Sequence, residues 1–299
     1  MPWTPSDIPS LRGRVAVITG GNSGIGLHTA RLLAERGAEV ILACRNSEKA
    51  AVASDLIRSQ VPAARVQALA LDLSELASVE AFAEKLRTLK ARLDLLINNA
   101  GIMIPPYHQT SAGHELQFAT NHLGHFALTG RLLGLLEETA GSRVVTVSSL
   151  AHRQGRIHFD DLQSERRYSP WGAYAQSKLA NLLFTFELDR RLRAAGSSTT
   201  ALAAHPGYSA TGITQASWWM DYFTPWTAQP AHLGAWPTLR AACDPQAEGG
   251  SYWGPRWLFQ IWGAPIRVGS SRASRDEETA RKLWDCSERL TGVTYPFAS

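Results

Sequence analysis

One junction limits the folds open to this chain more than any other. The β-branched run Arg14–Thr19 breaks at once into Thr19-Gly-Gly-Asn-Ser-Gly-Ile-Gly26, and that turn opens a helical apolar period over Ile25–Arg36. Strand, glycine-rich turn and helix form one half of a βαβ unit. Such a unit needs a parallel partner strand and a sheet covered on both faces.

The rhythm continues. Expected strands over Glu39–Cys44, Arg65–Leu71, Leu93–Asn98, Arg143–Val147 and Thr199–His205 alternate with helices over Glu48–Ser59, Val79–Leu89, Thr120–Glu138 and Ala173–Arg193. Alternation of this kind gives a parallel α/β sheet with right-handed crossovers. A seventh strand is expected near Ser251–Trp253, and a last helix from about Arg275, with Ser274 and Glu277 at capping-box spacing. The Ser149-to-Tyr174 interval reads as a long structured loop holding a Pro-Trp-Gly turn. Beyond Pro206, Trp218, Trp219, Trp226, Trp236, Trp253, Trp257 and Trp262 hold most of the chain's ten tryptophans, interleaved with Pro and Gly.

Composition narrows the function classes. With 44% hydrophobic and 19% charged residues and a formal charge of +4, the chain is that of a globular protein, and its basic residues are scattered. That disfavours nucleic acid as a partner and suits a phosphate-bearing ligand. Cys44, Cys243 and Cys286 stand far apart, so neither a disulfide framework nor a zinc site is expected. No signal peptide and no apolar run of membrane-spanning length is read, and a cytoplasmic protein is expected.

The chemistry-bearing residues fall at strand ends. A helix N-terminus behind a glycine-rich turn binds phosphate; Gly20 and Gly24 let the backbone approach it, and Gly26 lets helix and strand pack closely. Asn98-Asn-Ala-Gly101 and Ser149 end two further strands on the same edge. Tyr174 and Lys178 are four apart on one helical face, where an ammonium is expected to lower the phenol's pKa. His122 and His125 share a face too, but lack an acidic or cysteine partner, so no metal is expected. Cys44 and Arg45 occupy the place where NAD sites carry an acid, which favours a 2′-phosphate and hence NADP(H) over NAD.

Together and in this order these motifs resemble the short-chain dehydrogenase/reductase family over about residues 12–212. The Ser-to-Tyr insertion, Ala-Cys-Arg45 and His-Pro-Gly-Tyr208 are similar to its retinol-dehydrogenase-like and protochlorophyllide-reductase-like branch. The resemblance implies a Rossmann-like doubly wound sheet of about seven strands. It makes Tyr174 the general acid/base, Lys178 its partner and holder of the nicotinamide ribose, Ser149 (not Ser148) the substrate-orienting serine, and Asn121 the support of a proton-relay water. Cofactor contacts fall on Gly20, Asn22, Ser23, Gly24, Ile25 and Gly26, then Arg45, Asp72 and Leu73. Asn99, Ala100 and Gly101 follow, with Tyr174, Lys178 and the Pro206, Gly207 and Thr211 segment.

The expectation is therefore a single domain over 1–299: core 12–212, tryptophan-rich substrate lid 213–272, and C-terminal helix and tail 273–299. It would be an NADP(H)-dependent oxidoreductase interconverting carbonyl and alcohol on a lipophilic small molecule. The alternatives are carbon–carbon double-bond reduction on the same scaffold and a nonenzymatic NADP-binding module. Oligomeric state is not readable from the residues; the resemblance allows a homo-oligomer paired through the two long helices, Thr120–Glu138 and Ala173–Arg193.

Overall fold

The computed structural model describes residues 2–207 and 230–297. Strands β1 (Val15–Thr19), β2 (Glu39–Cys44), β3 (Arg65–Ala70), β4 (Leu95–Asn98), β5 (Arg143–Val147), β6 (Thr200–Ala204), β7 (Tyr252–Trp257) and β8 (Trp262–Arg267) form one sheet, ordered β3-β2-β1-β4-β5-β6-β7-β8. The first seven run parallel and β8 returns antiparallel on β7. The doubly wound α/β architecture is the one expected, with one strand more.

Prolines hid that extra strand. Pro255 on β7 lies opposite Pro265 on β8, and the register slips between Pro255 and Trp257. Proline removes a ladder donor, so it reads as a strand breaker and survives only at edges and bulges. This hairpin is the sheet's edge and contains such a slip.

Helices α1 (Gly24–Glu35), α2 (Ser47–Gln60), α3 (Leu76–Leu89), α4 (Gly124–Glu137), α5 (Pro170–Ala194), α6 (Trp236–Cys243) and α7 (Glu277–Thr291) flank the sheet. One apolar layer carries Leu33, Val40, Leu42, Ile97 and Leu202; the other carries Val17, Ile41, Leu96, Phe126 and Leu188. Neighbouring strand residues thus go to opposite faces, and both faces are buried, as a parallel sheet requires.

Three boundaries differ from expectation. Pro170 starts α5 rather than closing a turn: Ser169 caps it by accepting from Gly172 N at 3.2 Å, and proline's missing N–H costs nothing at the first helical position. Asp276, not Ser274, caps α7, accepting from Thr279 N at 2.7 Å. The expected helix from Thr120 begins as Leu116–Phe118 and a π-turn over Ala119–Leu123, then α4.

Helix α7 packs on α5, and the tail beyond it crosses α4. Tyr295 donates to the Phe126 carbonyl at 2.8 Å, and its ring packs at a tilt against Trp284 with centroids 4.5 Å apart. A Cβ at Gly130 would meet Val293 and Tyr295, so the chain's own tail covers part of the α4 face. No helix among the described residues is long and apolar enough to cross a membrane.

Candidate active site

The motif residues gather at the carboxyl edge of the sheet, on either side of β1 and β4, where the strand order reverses. Open α/β sheets bind ligands in that crevice. Gly20 and Gly24 hold φ of 65° and 51°, and Ser23 precedes α1 without a side-chain cap bond. First-turn amides of a helix lack intrahelical acceptors, so this turn can receive an anion. A Cβ at Gly26 would overlap the Gly20 carbonyl and come within 2.6 Å of Asn99 Nδ2. Any side chain there would push the helix off its turn.

Thr19 is the hub beneath the turn, and its role was not read from the sequence. Its hydroxyl accepts from Asn99 N and Ala100 N, both at 2.9 Å, and meets His125 Nε2 at 2.9 Å. His125 Nδ1 lies 3.0 Å from the Asn121 carbonyl. A carbonyl only accepts, so Nδ1 carries the proton and Nε2 accepts from Thr19. Burial pulls the His125 pKa down to about 4, which keeps the ring neutral and this tautomer fixed. The signal was present: His125 lies one helical turn after Asn121.

Asn121 and Ile102 exchange two bonds, Ile102 N to Oδ1 at 2.8 Å and Nδ2 to the Ile102 carbonyl at 3.0 Å. Its Nδ2 also donates to Ser177 Oγ at 2.9 Å. The side chain is thus committed inside the protein, and its backbone carbonyl is the group left to serve a relay. The π-turn around Asn121 is an irregularity often found at functional sites.

Tyr174 and Lys178 project from α5 toward the end of β5. Lys178 Nζ donates to the Val147 carbonyl at 3.2 Å and lies 5.7 Å from the Tyr174 ring centre. A Cβ on Gly101 would come within 3.3 Å of Nζ and 3.2 Å of Asn121 Oδ1, which marks where β4's end, α5 and the π-turn converge. Ser149 caps the turn after β5, its hydroxyl accepting from Ala151 N at 3.2 Å, and it is near enough to the phenol to favour its ionised form. Ser148 instead is buried and donates to the Lys178 carbonyl at 2.8 Å. The structure therefore puts Ser149, and not Ser148, beside Tyr174.

One electrostatic expectation is corrected. Tyr174 is held above its ordinary pKa because burial dominates, with the Ser149 bond pulling the other way. Lys178 does not offset this: its ammonium points to Val147, and burial pushes its own pKa down to about 8.

The remaining expected contacts also lie on this edge. Arg45 is exposed just past β2, whose Ala43 carbonyl accepts from Gly20 N at 2.9 Å. Asp72 follows β3, its Oδ1 accepting from Ser74 N at 3.0 Å and Ser74 Oγ at 2.6 Å, while Leu73 is buried. Pro206 and Gly207 follow β6. Thr211, Tyr208, Trp218, Trp219 and Trp226 lie outside the described residues. His122 packs inside, its Nε2 bonding Ser287 Oγ at 2.9 Å, and no metal-binding cluster occurs among the described residues.

Two further buried histidines steady the edge. His152 Nδ1 donates to the Ser149 carbonyl at 2.6 Å, and His152 Nε2 accepts from Ser271 N at 3.2 Å. His205 Nδ1 accepts from Gly207 N at 3.2 Å, while Nε2 donates to Gln260 Oε1 at 3.2 Å. His152 was not singled out in the sequence, and His205 entered only as the first residue of the His-Pro-Gly-Tyr208 segment.

The glycine turn, with Gly20 and Gly24 at positive φ, and the start of α1 behind it, which has no side-chain cap bond, fit a dinucleotide's phosphates. Gly20 to Gly26 would hold the pyrophosphate, Arg45 a 2′-phosphate, and Lys178 the nicotinamide ribose.

Comparison with known proteins agrees with this geometry. The family model described as short chain dehydrogenase matches residues 14–220. Retinol dehydrogenase 12 of Mus musculus is 43% identical over 292 residues, spanning 95% of this chain and 88% of that protein. The crystal structure of an uncharacterised protein from Mycobacterium paratuberculosis superposes with a TM-score of 0.84 at 48% identity, covering 99% of this chain and 100% of that one. Pseudomonas aeruginosa RhlG in its NADP active-site complex gives a TM-score of 0.65 at 25% identity, over 81% and 94% of the two chains.

Proposed function

The chain belongs to the short-chain dehydrogenase family, and we propose that it is an NADP(H)-dependent oxidoreductase interconverting a carbonyl and an alcohol on a lipophilic small molecule. The observation that carries the proposal is the convergence of a buried Tyr174 with Lys178, 5.7 Å from its ring centre, and the Asn121 turn at the strand end that Ser149 follows. When bound, the nicotinamide supplies or accepts the hydride. The protein's own residues handle the oxygen and the proton.

In reduction, Ser149 and Tyr174 hold the carbonyl oxygen and the phenol gives its proton to the forming alkoxide. Burial keeps that phenol protonated at neutral pH, which is the form an acid needs. Lys178, with a pKa of about 8, is largely charged at neutral pH and can return a proton toward the phenol. The Asn121 carbonyl, oriented by His125, is the acceptor available to a relay water. Oxidation runs the same steps backward.

Arg45 at the end of β2, and the NADP named in the RhlG complex, support the 2′-phosphate cofactor. The retinol in the names of the curated relatives retinol dehydrogenase 11 and 12 supports an apolar alcohol or its aldehyde. A panel of ketones and aldehydes of graded apolar area, assayed with NADPH and with NADH, tests both. Turnover with NADPH that rises with apolar area is expected; no turnover of any carbonyl, or equal use of NADH, would overturn the reading.

A further inference from the structure

The turn joining β7 to β8 presents apolar side chains to solvent in an unbroken row. Trp257 is 59% exposed, Leu258 66% and Phe259 92%. Among the described residues, other exposed large apolar side chains, such as Leu89, Tyr107 and Trp171, stand apart in sequence or, like Val52 and Leu56, lie a helical turn apart on α2. Folding does not require this display. Leu258, Phe259 and Gln260 hold φ of 50°, 55° and 70°, a left-handed run with no glycine in it. Non-glycine residues avoid that region unless the surroundings impose it.

Charge singles out the partner. From Gly249 to Arg275 the chain carries Arg256, Arg267, Arg272 and Arg275 and no acidic residue. The Arg256 guanidinium lies 4.8 Å from the Trp257 ring, so cation and aromatic travel together. Arg267, at the foot of β8, is paired with Glu248 at 2.9 Å and adds little free charge. Three side chains on one hairpin turn do not by themselves supply the roughly 800 Å² per partner that a stable protein interface buries. A tryptophan, a leucine and a phenylalanine beside arginine do match the boundary of a lipid layer, where aromatics sit at headgroup level and cations meet anionic headgroups.

We propose that the Trp257-Leu258-Phe259 tip is a peripheral docking element for anionic lipid surfaces. The tip is tied to the active-site edge. Gln260 accepts from His205, which in turn accepts from Gly207 N. Gly207 has φ 70°, and the Ile261 carbonyl fills the space its Cβ would need. Docking therefore presents the Pro206–Gly207 side of the site to the lipid, where an apolar substrate is concentrated. That consequence rests on the proposed function; the docking itself does not.

The test is co-sedimentation of the full chain with large unilamellar vesicles, either of phosphatidylcholine alone or of equal parts phosphatidylcholine and phosphatidylserine. The wild type is expected to bind the mixed vesicles. The double variant Trp257→Ser/Phe259→Ser should lose roughly tenfold or more in partitioning, since it removes two apolar anchors. Arg256→Glu should lose the preference for phosphatidylserine. Melting temperatures of both variants, followed by circular dichroism, should match the wild type, because the substituted side chains are exposed. A wild type that stays in the supernatant, or a double variant that partitions like it, would overturn the proposal. So would concentration-dependent dimers of the wild type that the double substitution abolishes while vesicles go unbound. None of these readouts uses turnover, so they stand apart from any failure of the proposed reaction.

Discussion

Replacing Lys178 by methionine should make the protein more stable while disabling it. Lys178 is 4% exposed, and among the described residues its hydrogen-bond partner is the Val147 carbonyl. Burial lowers its pKa from 10.5 to about 8. At about 1.36 kcal/mol per pH unit, holding it charged costs the native state roughly 3 kcal/mol at neutral pH. Methionine fills similar volume without a charge. The bond lost is cushioned, because Asn181 Nδ2 still donates to the Val147 carbonyl at 3.1 Å. Allowing ~1 kcal/mol for that bond and for imperfect packing, Lys178→Met should gain about 1–2 kcal/mol.

Below about 8 both folded and unfolded lysine are protonated, and the penalty is fully present. Between that pH and the unfolded value near 10.5 the folded group loses its proton first, so wild-type stability rises with pH relative to the variant. Urea unfolding of both proteins without cofactor, at about pH 7 and about pH 10, should show a gap that shrinks on the alkaline side. A variant less stable than wild type at neutral pH, or a gap indifferent to pH, would refute the reasoning.

Other outcomes follow from the same geometry. Gly26→Val should abolish cofactor binding by calorimetry and lower the melting temperature, since its side chain would strike the Gly20 carbonyl. Arg45→Asp should weaken NADPH by a few kcal/mol, roughly ~2–3, and NADH far less, as a charge-assisted phosphate contact becomes a repulsion; equal losses would remove Arg45 from that role. Alcohol oxidation requires the phenolate, so with Tyr174 held above its ordinary pKa its rate should keep climbing through the alkaline range; a plateau near neutrality would contradict that assignment. Alanine at Trp218, Trp219 or Trp226 should flatten the dependence of activity on substrate apolar area, and a change in melting temperature alone would count against a substrate lid.

The sequence was legible where a local period or a special backbone demand wrote itself into residue types. Glu39–Cys44 and Arg143–Val147 could be bounded to the residue, because strands buried on both faces read as continuous apolar runs between turn residues. Gly26 was legible because only glycine tolerates that approach of helix to turn. What escaped had long-range or two-sided causes. β8 was hidden by Pro265, which an edge accepts and an interior strand would not. The Pro170 start was read as a turn because proline marks helix beginnings and turns alike. Thr19 meets Asn99 and His125, and His205 meets Gln260, across long stretches of chain, so no spacing announces those contacts. The phenol's raised pKa was misjudged because spacing reports that a lysine is near, not that burial outweighs it or that the ammonium points elsewhere.

The central claim is that Tyr174 moves the proton, and Tyr174→Phe tests it most directly. The substitution removes one hydroxyl from a buried ring and leaves α5 intact. NADPH binding, followed by calorimetry, should stay within a few-fold of wild type. Single-turnover oxidation of bound NADPH by an accepted carbonyl should slow by roughly ~10²–10⁴, the usual worth of general acid catalysis. Near-wild-type single-turnover rates with cofactor binding intact would contradict the account, and the acid would have to be sought elsewhere.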